Sequence, residues 1–255
     1  MSRVRVVNLN IDVISYCIAL QNAIELAKQN TPSYVCFVNG HMLIEAYWDR
    51  QYSDYVNKAS LVLADGKPVA LSCRLLYKIK QDRIAGMDFM PSIIEACARE
   101  KLSIFLFGSS AEVLSQLSKK IQSEYPHLTI AGIRSPSFYA FTLEEAARYV
   151  QEINLSKAHV VLVGLGCPKQ ETWMARYSND IHATLLGVGG AFSVYAGLTG
   201  RAPLWMQKAS LEWLYRLIQE PRRMWKRYLV TNVFFVALLM KQYASIRFGM
   251  KRNSN

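Results

Sequence analysis

Short runs rich in β-branched and aromatic residues alternate with longer segments of helical period along most of this chain, and that alternation is its strongest constraint. The runs are Val4–Leu9, Tyr34–Val38, Leu61–Ala64, Ile104–Phe107, Thr129–Ala131, Val160–Val163 and Thr184–Leu186. Amphipathic segments lie between them, at Ser15–Gln29, Met90–Arg99, Ala111–Ser123 and Thr142–Ile153. Thr142 is followed three residues later by Glu145, the reciprocal capping pattern of a helix start. Strands separated by helices of this length predict βαβ units, hence an α/β fold with a mostly parallel sheet and helices on both faces.

Composition matters mainly through where the charge falls. Hydrophobic residues make up 51% of the 255 and charged residues 19%, which excludes general disorder. The net charge is +11, yet residues 201–255 hold eleven Lys or Arg against only Glu212 and Glu220. That tail therefore carries +9 and the first 200 residues only +2. Strands also stop near Gly200, so two units are expected: an α/β body over 1–200 and a basic helical appendage over 201–255. The five cysteines form no CxxC pair, which argues against a disulfide framework and for a reducing compartment. The four histidines lack ligand spacing, so no metal site is expected. No run of 18 apolar residues is present, and the N-terminal stretch does not read as a signal peptide.

In open parallel sheets ligands gather at the carboxyl ends of the strands, so each run is paired with the residues immediately after it. Tyr34–Val38 leads to Asn39, Leu61–Ala64 to Asp65-Gly66, and Ile104–Phe107 to Gly108-Ser109-Ser110. Val160–Val163 leads to Gly164-Leu165-Gly166-Cys167-Pro168-Lys169-Gln170-Glu171, and Thr184–Leu186 to Gly187-Val188-Gly189-Gly190. The turns at Gly108 and at Gly164–Lys169 suit a phosphate held by backbone N–H groups, although glycine after a strand is often only a tight turn. Neither is a P-loop, and the third glycine of the dinucleotide fingerprint is missing. Asp65 sits where a carboxylate can take a proton from a substrate hydroxyl; the competing expectation is a turn or helix cap before Pro68. Asp88 reads as the cap of a helix over Phe89–Arg99.

In the tail, Arg201 to Arg227 interleaves cations with Trp205, Trp213, Tyr215, Trp225 and Tyr228. Leu229 to Met240 is then almost wholly apolar, and more cations come after it. This fits a helix lying in a membrane interface beside anionic headgroups, the alternative being a helix docked on the body or in an oligomer interface. Twelve residues of helix span about 18 Å, short of a hydrocarbon core of about 30 Å. Nucleic acid is disfavoured as a partner, because large apolar residues separate the basic ones.

The chain resembles the WecG/TagA/CpsF family of bacterial glycosyltransferases along essentially its whole length. The resemblance rests on Asn39; Leu63-Ala64-Asp65-Gly66; Arg83-Ile84-Ala85-Gly86-Met87-Asp88; the Gly164–Glu171 run; Gly187–Phe192; Arg201-Ala202-Pro203; Leu211–Leu217; and Glu220-Pro221-Arg222-Arg223. It implies a Rossmann-like sheet of the GT-E type with a membrane-binding appendage. It also implies inverting, metal-independent transfer, without a cofactor, from a UDP-sugar to a polyprenyl-diphosphate-linked saccharide at the cytoplasmic face of the inner membrane. Glucose, N-acetylmannosamine and its uronic acid all stay open as donors, and homo-oligomers stay open as the assembly. By the same resemblance Asp65 is the base, accompanied by Asn39, Arg83 and Gln170. The strand-end turns at Gly66, Gly108, Gly166, Lys169 and Gly189 are expected to hold substrate, and the resemblance adds Arg216, Arg223 and Lys226 from the tail. Two residues depart from the common pattern: Phe37 stands where many members have Thr, and Ser193 where many have Asp. A nucleotide-binding module without catalysis, recruited to membranes by its tail, is the alternative reading.

Overall fold

The structure, a computed structural model, describes residues 2–137, 141–208, 211–219 and 221–252. The chain opens with a hairpin of β1 (Arg3–Val6) and β2 (Leu9–Asp12), in place of the single strand expected over Val4–Leu9. The turn between them places Val7 at φ 57. β-Branched residues rarely adopt that region, so the sequence carries no ordinary turn signal there. The hairpin serves the main sheet. Buried Asp12 accepts the Val62 N–H at 2.7 Å and Arg3 Nε at 2.8 Å, covering the outer edge of strand β4 (Leu61–Ala64).

Six parallel strands form the main sheet: β3 (Ser33–Val38), β4, β5 (Ile104–Gly108), β6 (Ile130–Arg134), β7 (Val160–Gly164) and β8 (Thr184–Gly187). Their spatial order is β4-β3-β8-β7-β5-β6. Successive residues feed two separate cores, as a period of two requires. Cys36, Val38, Val62, Phe105, Phe107, Val161 and Val163 pack on one face. Val35, Phe37, Leu61, Leu63, Ile104, Leu106, Val160 and Leu162 pack on the other. The first face is covered chiefly by α2 (Gly40–Trp48), α3 (Arg50–Asn57), α4 (Lys67–Tyr77), α7 (Leu143–Ser156) and α8 (Lys169–Tyr177). The second is covered by α1 (Tyr16–Lys28), α5 (Gly86–Arg99), α6 (Ala111–Glu124) and α9 (Ala191–Tyr195). The α/β class is as expected, and α7 starts with the reciprocal Thr142–Glu145 cap.

Beyond Gly200 the described chain is helical: α10 (Leu204–Lys208), α11 (Glu212–Gln219) and α12 (Pro221–Arg252). α12 lies against α2, α4 and α11. Thr231 and Phe235 are buried, and Phe235 joins the first core. Gln242 Oε1 accepts the Val7 N–H at 2.7 Å, while its Nε2 donates to Arg5 O at 2.8 Å. The other side of the helix leaves Val230, Val233, Phe234, Val236 and Met240 exposed. The apolar run thus both docks on the body and keeps an apolar outer surface. Among the described residues no helix is long and apolar enough to cross a membrane. Phe235→Ala is expected to cost about 3 kcal/mol in urea unfolding, since it empties a filled core position, whereas Val233→Ser should change stability by no more than about 0.5 kcal/mol. Equal effects of the two substitutions would mean that α12 is not seated through Phe235.

Candidate active site

All six strands end on one rim, and backbone hydrogen bonds draw three of the expected residues into one corner of it. Asn39 follows β3 and caps α2, its Oδ1 accepting the N–H groups of His41 and Met42 at 3.1 and 3.2 Å. Asp65 follows β4, and its N–H donates to Val38 O at 2.7 Å, which sets it beside Asn39. The helix after it is capped by Gly66, at φ +100 and without a side-chain cap bond, so Asp65 does not cap α4. The loop from α4 returns to β4 through Ile84 N–H to Ala64 O at 2.8 Å, bringing Arg83 alongside.

Asp88 departs from its expected role. The helix begins at Gly86, so Asp88 stands in its first turn rather than at its cap. Its carboxylate accepts Arg83 Nη2 at 2.6 Å and also Arg201 Nη2. Arg83 Nη1 donates to Glu212 Oε2 at 2.9 Å. Arg201 and Glu212 lie in the tail, and their pairing with body residues four or more elements away leaves no local sequence signal.

The middle of the rim is organised by Gln170. It is buried, and its amide is committed to three partners: Nε2 donates to Gly187 O at 2.9 Å and Glu171 Oε1 at 2.7 Å, while Oε1 accepts the Gly166 N–H at 3.2 Å. Gln170 therefore ties the loop after β7 to the end of β8, beneath Gly189. Glu171 is buried as well, and Tyr52 Oη donates to its Oε2 at 3.2 Å. Burial pushes the Glu171 carboxyl above its ordinary value, with the hydrogen bonds from Gln170 and Tyr52 opposing the shift. Phe37 packs in the second core against Phe89, with ring centroids 5.2 Å apart, so this departure from the family pattern is a packing residue. Ser193 lies in α9 after the loop that leaves β8.

The chain leaves β5 toward β6 and leaves β7 in the opposite direction, toward β8, so a crevice opens between the ends of β5 and β7. A cavity of about 320 Å³ lies there. Ser109, Gly164 and Leu165 line it from the strand ends, Phe141 from the far side, and Lys169, Trp173, Arg176 and Tyr177 from α8. Gly108 is what lets the two strands meet at its floor. Its φ is +117, and a Cβ there would lie 2.5 Å from the Gly164 carbonyl carbon. The aromatic wall is braced from below, with Trp173 stacked on Phe107 at 4.5 Å. Trp173, Arg176 and Phe141 are not expected from the sequence, because none comes directly after a strand. The Asp65 corner is three strand spacings from β7, roughly 14 Å along the rim. Among the described residues no three His, Cys, Asp or Glu side chains gather as a metal site. Arg216 falls on α11, and Arg223 and Lys226 on α12; their side chains lie outside the described residues.

Fold and rim together place the chain among doubly wound α/β proteins that bind ligands at their strand ends. Within that class, the model of the glycosyl transferase WecG/TagA/CpsF family matches residues 4–248, and the chain belongs to this family. An N-acetylglucosaminyldiphosphoundecaprenol N-acetyl-β-D-mannosaminyltransferase of Bacillus subtilis is 34% identical over 215 residues, 84% of this chain and 82% of that protein. Proteins of the same name from Bacillus spizizenii and Staphylococcus aureus are each 30% identical. The first covers 86% of this chain and 83% of its own length, the second 79% and 76%.

The buried Glu171 carboxyl gives the fold a pH signature. Its folded pKa is raised, so its contribution to stability is complete below the unfolded value of about 4.5 and is lost as pH rises through the folded value. Urea midpoints of the wild type should therefore fall relative to Glu171→Gln as pH increases from about 4.5 to 8. Parallel pH profiles would mean that burial does not raise this carboxyl.

Proposed function

We propose that this glycosyltransferase moves a sugar from a UDP-sugar to a hydroxyl of a polyprenyl-diphosphate-linked saccharide, with inversion and with Asp65 as the base. The observation that carries the reading is the shared rim: a strand-end carboxylate beside Asn39 and Arg83, and an aromatic, cationic cavity at the switch point three to four strand spacings away, roughly 14–19 Å. The uridine is assigned to that cavity, against Phe141, Trp173 and Tyr177. Its diphosphate then runs along the glycine turns toward the Asp65 corner, with Lys169 and backbone N–H groups as counter-charge. In the reaction Asp65 takes the proton of the acceptor hydroxyl as that oxygen bonds to the anomeric carbon. The bond from that carbon to the diphosphate oxygen breaks on the opposite face, and UDP departs. Arg216, Arg223 and Lys226 meet the diphosphate charge from the tail. Gln170, with its amide already engaged, acts by holding the glycine turns.

The relatives' names support a GlcNAc-diphosphoundecaprenol acceptor and N-acetylmannosamine as the first sugar to test. Residues 1–200 are proposed as the catalytic body and 201–255 as a membrane-facing appendage of a GT-E type enzyme, held peripherally at the cytoplasmic face. The exposed apolar side of α12 supports this, together with Trp48 of α2, whose ring meets Phe234 at 5.6 Å.

Asp65→Asn should lower kcat by about 10³-fold on a short-chain diphosphate-lipid acceptor while UDP binding by calorimetry stays within about twofold. Near-normal turnover would remove Asp65 as the base. Phe234→Glu should reduce co-flotation with anionic vesicles and leave kcat on a water-soluble acceptor unchanged. Undiminished flotation would exclude this face as the membrane contact.

A further inference from the structure

The first core does not by itself say what holds α10 and α11, because Phe235 seats only the next helix, α12. We propose that Arg83, Asp88, Arg201 and Glu212 form a closed four-charge latch that sets α11 over the Asp65 corner, so that Arg83 acts on turnover as a positioning residue. The kinetic part of this proposal rests on the glycosyltransferase reading above; the latch itself does not.

The four side chains alternate in sign around a ring. Arg83 Nη2 meets Asp88 Oδ2 at 2.6 Å, and Arg83 Nη1 meets Glu212 Oε2 at 2.9 Å. Arg201 Nη2 pairs with Asp88 Oδ1 and lies 3.7 Å from Glu212 Oε1. Two members come from the body and two from the tail, with Arg83 and Glu212 129 positions apart in sequence. All four are partly buried, between 21% and 33% exposed, so salt screens them less than a surface pair.

Three features make this a positioning device rather than a substrate contact. Both terminal nitrogens of Arg83 are occupied by carboxylates, and the ring as a whole is electrically neutral, so it offers little net attraction to a diphosphate. The loop carrying Arg83 is itself fastened to the end of β4 by the Ile84 to Ala64 hydrogen bond, one residue from Asp65. On the tail side, Glu212 opens α11, and Arg216 comes four residues later, one helical turn further on. Glu212 is also one of only two acids in a segment of eleven cations. Glu212 thus gives α11 one address on the body, Arg83.

The test is a double-mutant cycle on full-length protein with Arg83→Gln, Glu212→Gln and the pair. Each single variant should raise the acceptor KM and lower kcat/KM by roughly tenfold, and the double should be no worse than the more affected single by more than about twofold. UDP affinity by calorimetry should weaken in the same variants, because Arg216 is carried on α11. Arg83→Lys, which keeps the charge but not the two-pronged grip, should fall between. Independently of turnover, limited proteolysis between residues 200 and 211 should accelerate in all three variants without a fall in thermal midpoint of the body. Full turnover of Glu212→Gln beside an inactive Arg83→Gln would overturn the proposal, because Arg83 would then act on substrate directly. Unchanged proteolysis of Glu212→Gln would overturn the latch even if the wild type transferred no sugar, and that last result would defeat the glycosyltransferase reading alone.

Discussion

A strand buried on both faces has room for a polar side chain only where it finds a partner, as Ser33 and Thr184 do for each other at 3.0 Å, because every other position must face one apolar core or the other. That constraint governs this molecule. From Tyr34 to Val38 and from Val160 to Val163 the residues simply divide between the two cores. Polar chemistry is pushed to the first residues past each strand, where the backbone leaves the sheet and its hydrogen bonds need new partners. The rim is therefore crowded with polar groups tied to the backbone: Asn39 as a helix cap, Gln170 as a tie between two loops, Asp65 pinned by its own N–H to the neighbouring strand.

The same constraint explains how much of the molecule is legible in its sequence. The buried strands β3, β4, β5 and β7 are legible because a continuous apolar run of four or five residues has few other uses, whereas the edge strand β6 (Ile130–Arg134), partly exposed and containing Gly132, extends three residues past the expected Thr129–Ala131. The opening hairpin is not, since Val7 takes a conformation that β-branched residues avoid and no Asn-Gly or Asp-Gly marks the turn. Asp88 looks like a helix cap because Asp before an apolar run usually is one. Its real partners, Arg83 and Arg201, are a local residue and a remote one, and the remote half carries no pattern. The cavity wall is hidden for a related reason: Trp173, Arg176 and Tyr177 come together as one wall only once α8 is set against the sheet, with Trp173 stacked on Phe107.

The tail shows how one segment can satisfy two environments. As composition, Leu229 to Met240 is nearly uniform in its apolar character, so it says nothing about which side meets protein. Packing breaks that uniformity. Thr231 and Phe235, four residues apart, turn inward together, while Val230, Val233, Phe234 and Val236 are left outside. The sorting is done by the shape of α2 and the first core, not by any amphipathic pattern in the segment itself.

One small contact in this arrangement sets a height. A Cβ placed on Gly40 would stand 3.8 Å from the methyl of Thr231, so α12 crosses directly over the turn that carries Asn39. If the outer side of α12 rests at the bilayer surface, Asp65, the proposed base, stands only about one helix diameter, some 10 Å, above the headgroups. The diphosphate of a lipid-linked acceptor already lies at headgroup level. On the proposed reading the enzyme has no need to lift its substrate out of the membrane: the polyprenyl chain stays dissolved in lipid, and only the sugar at its tip must rise to meet the rim.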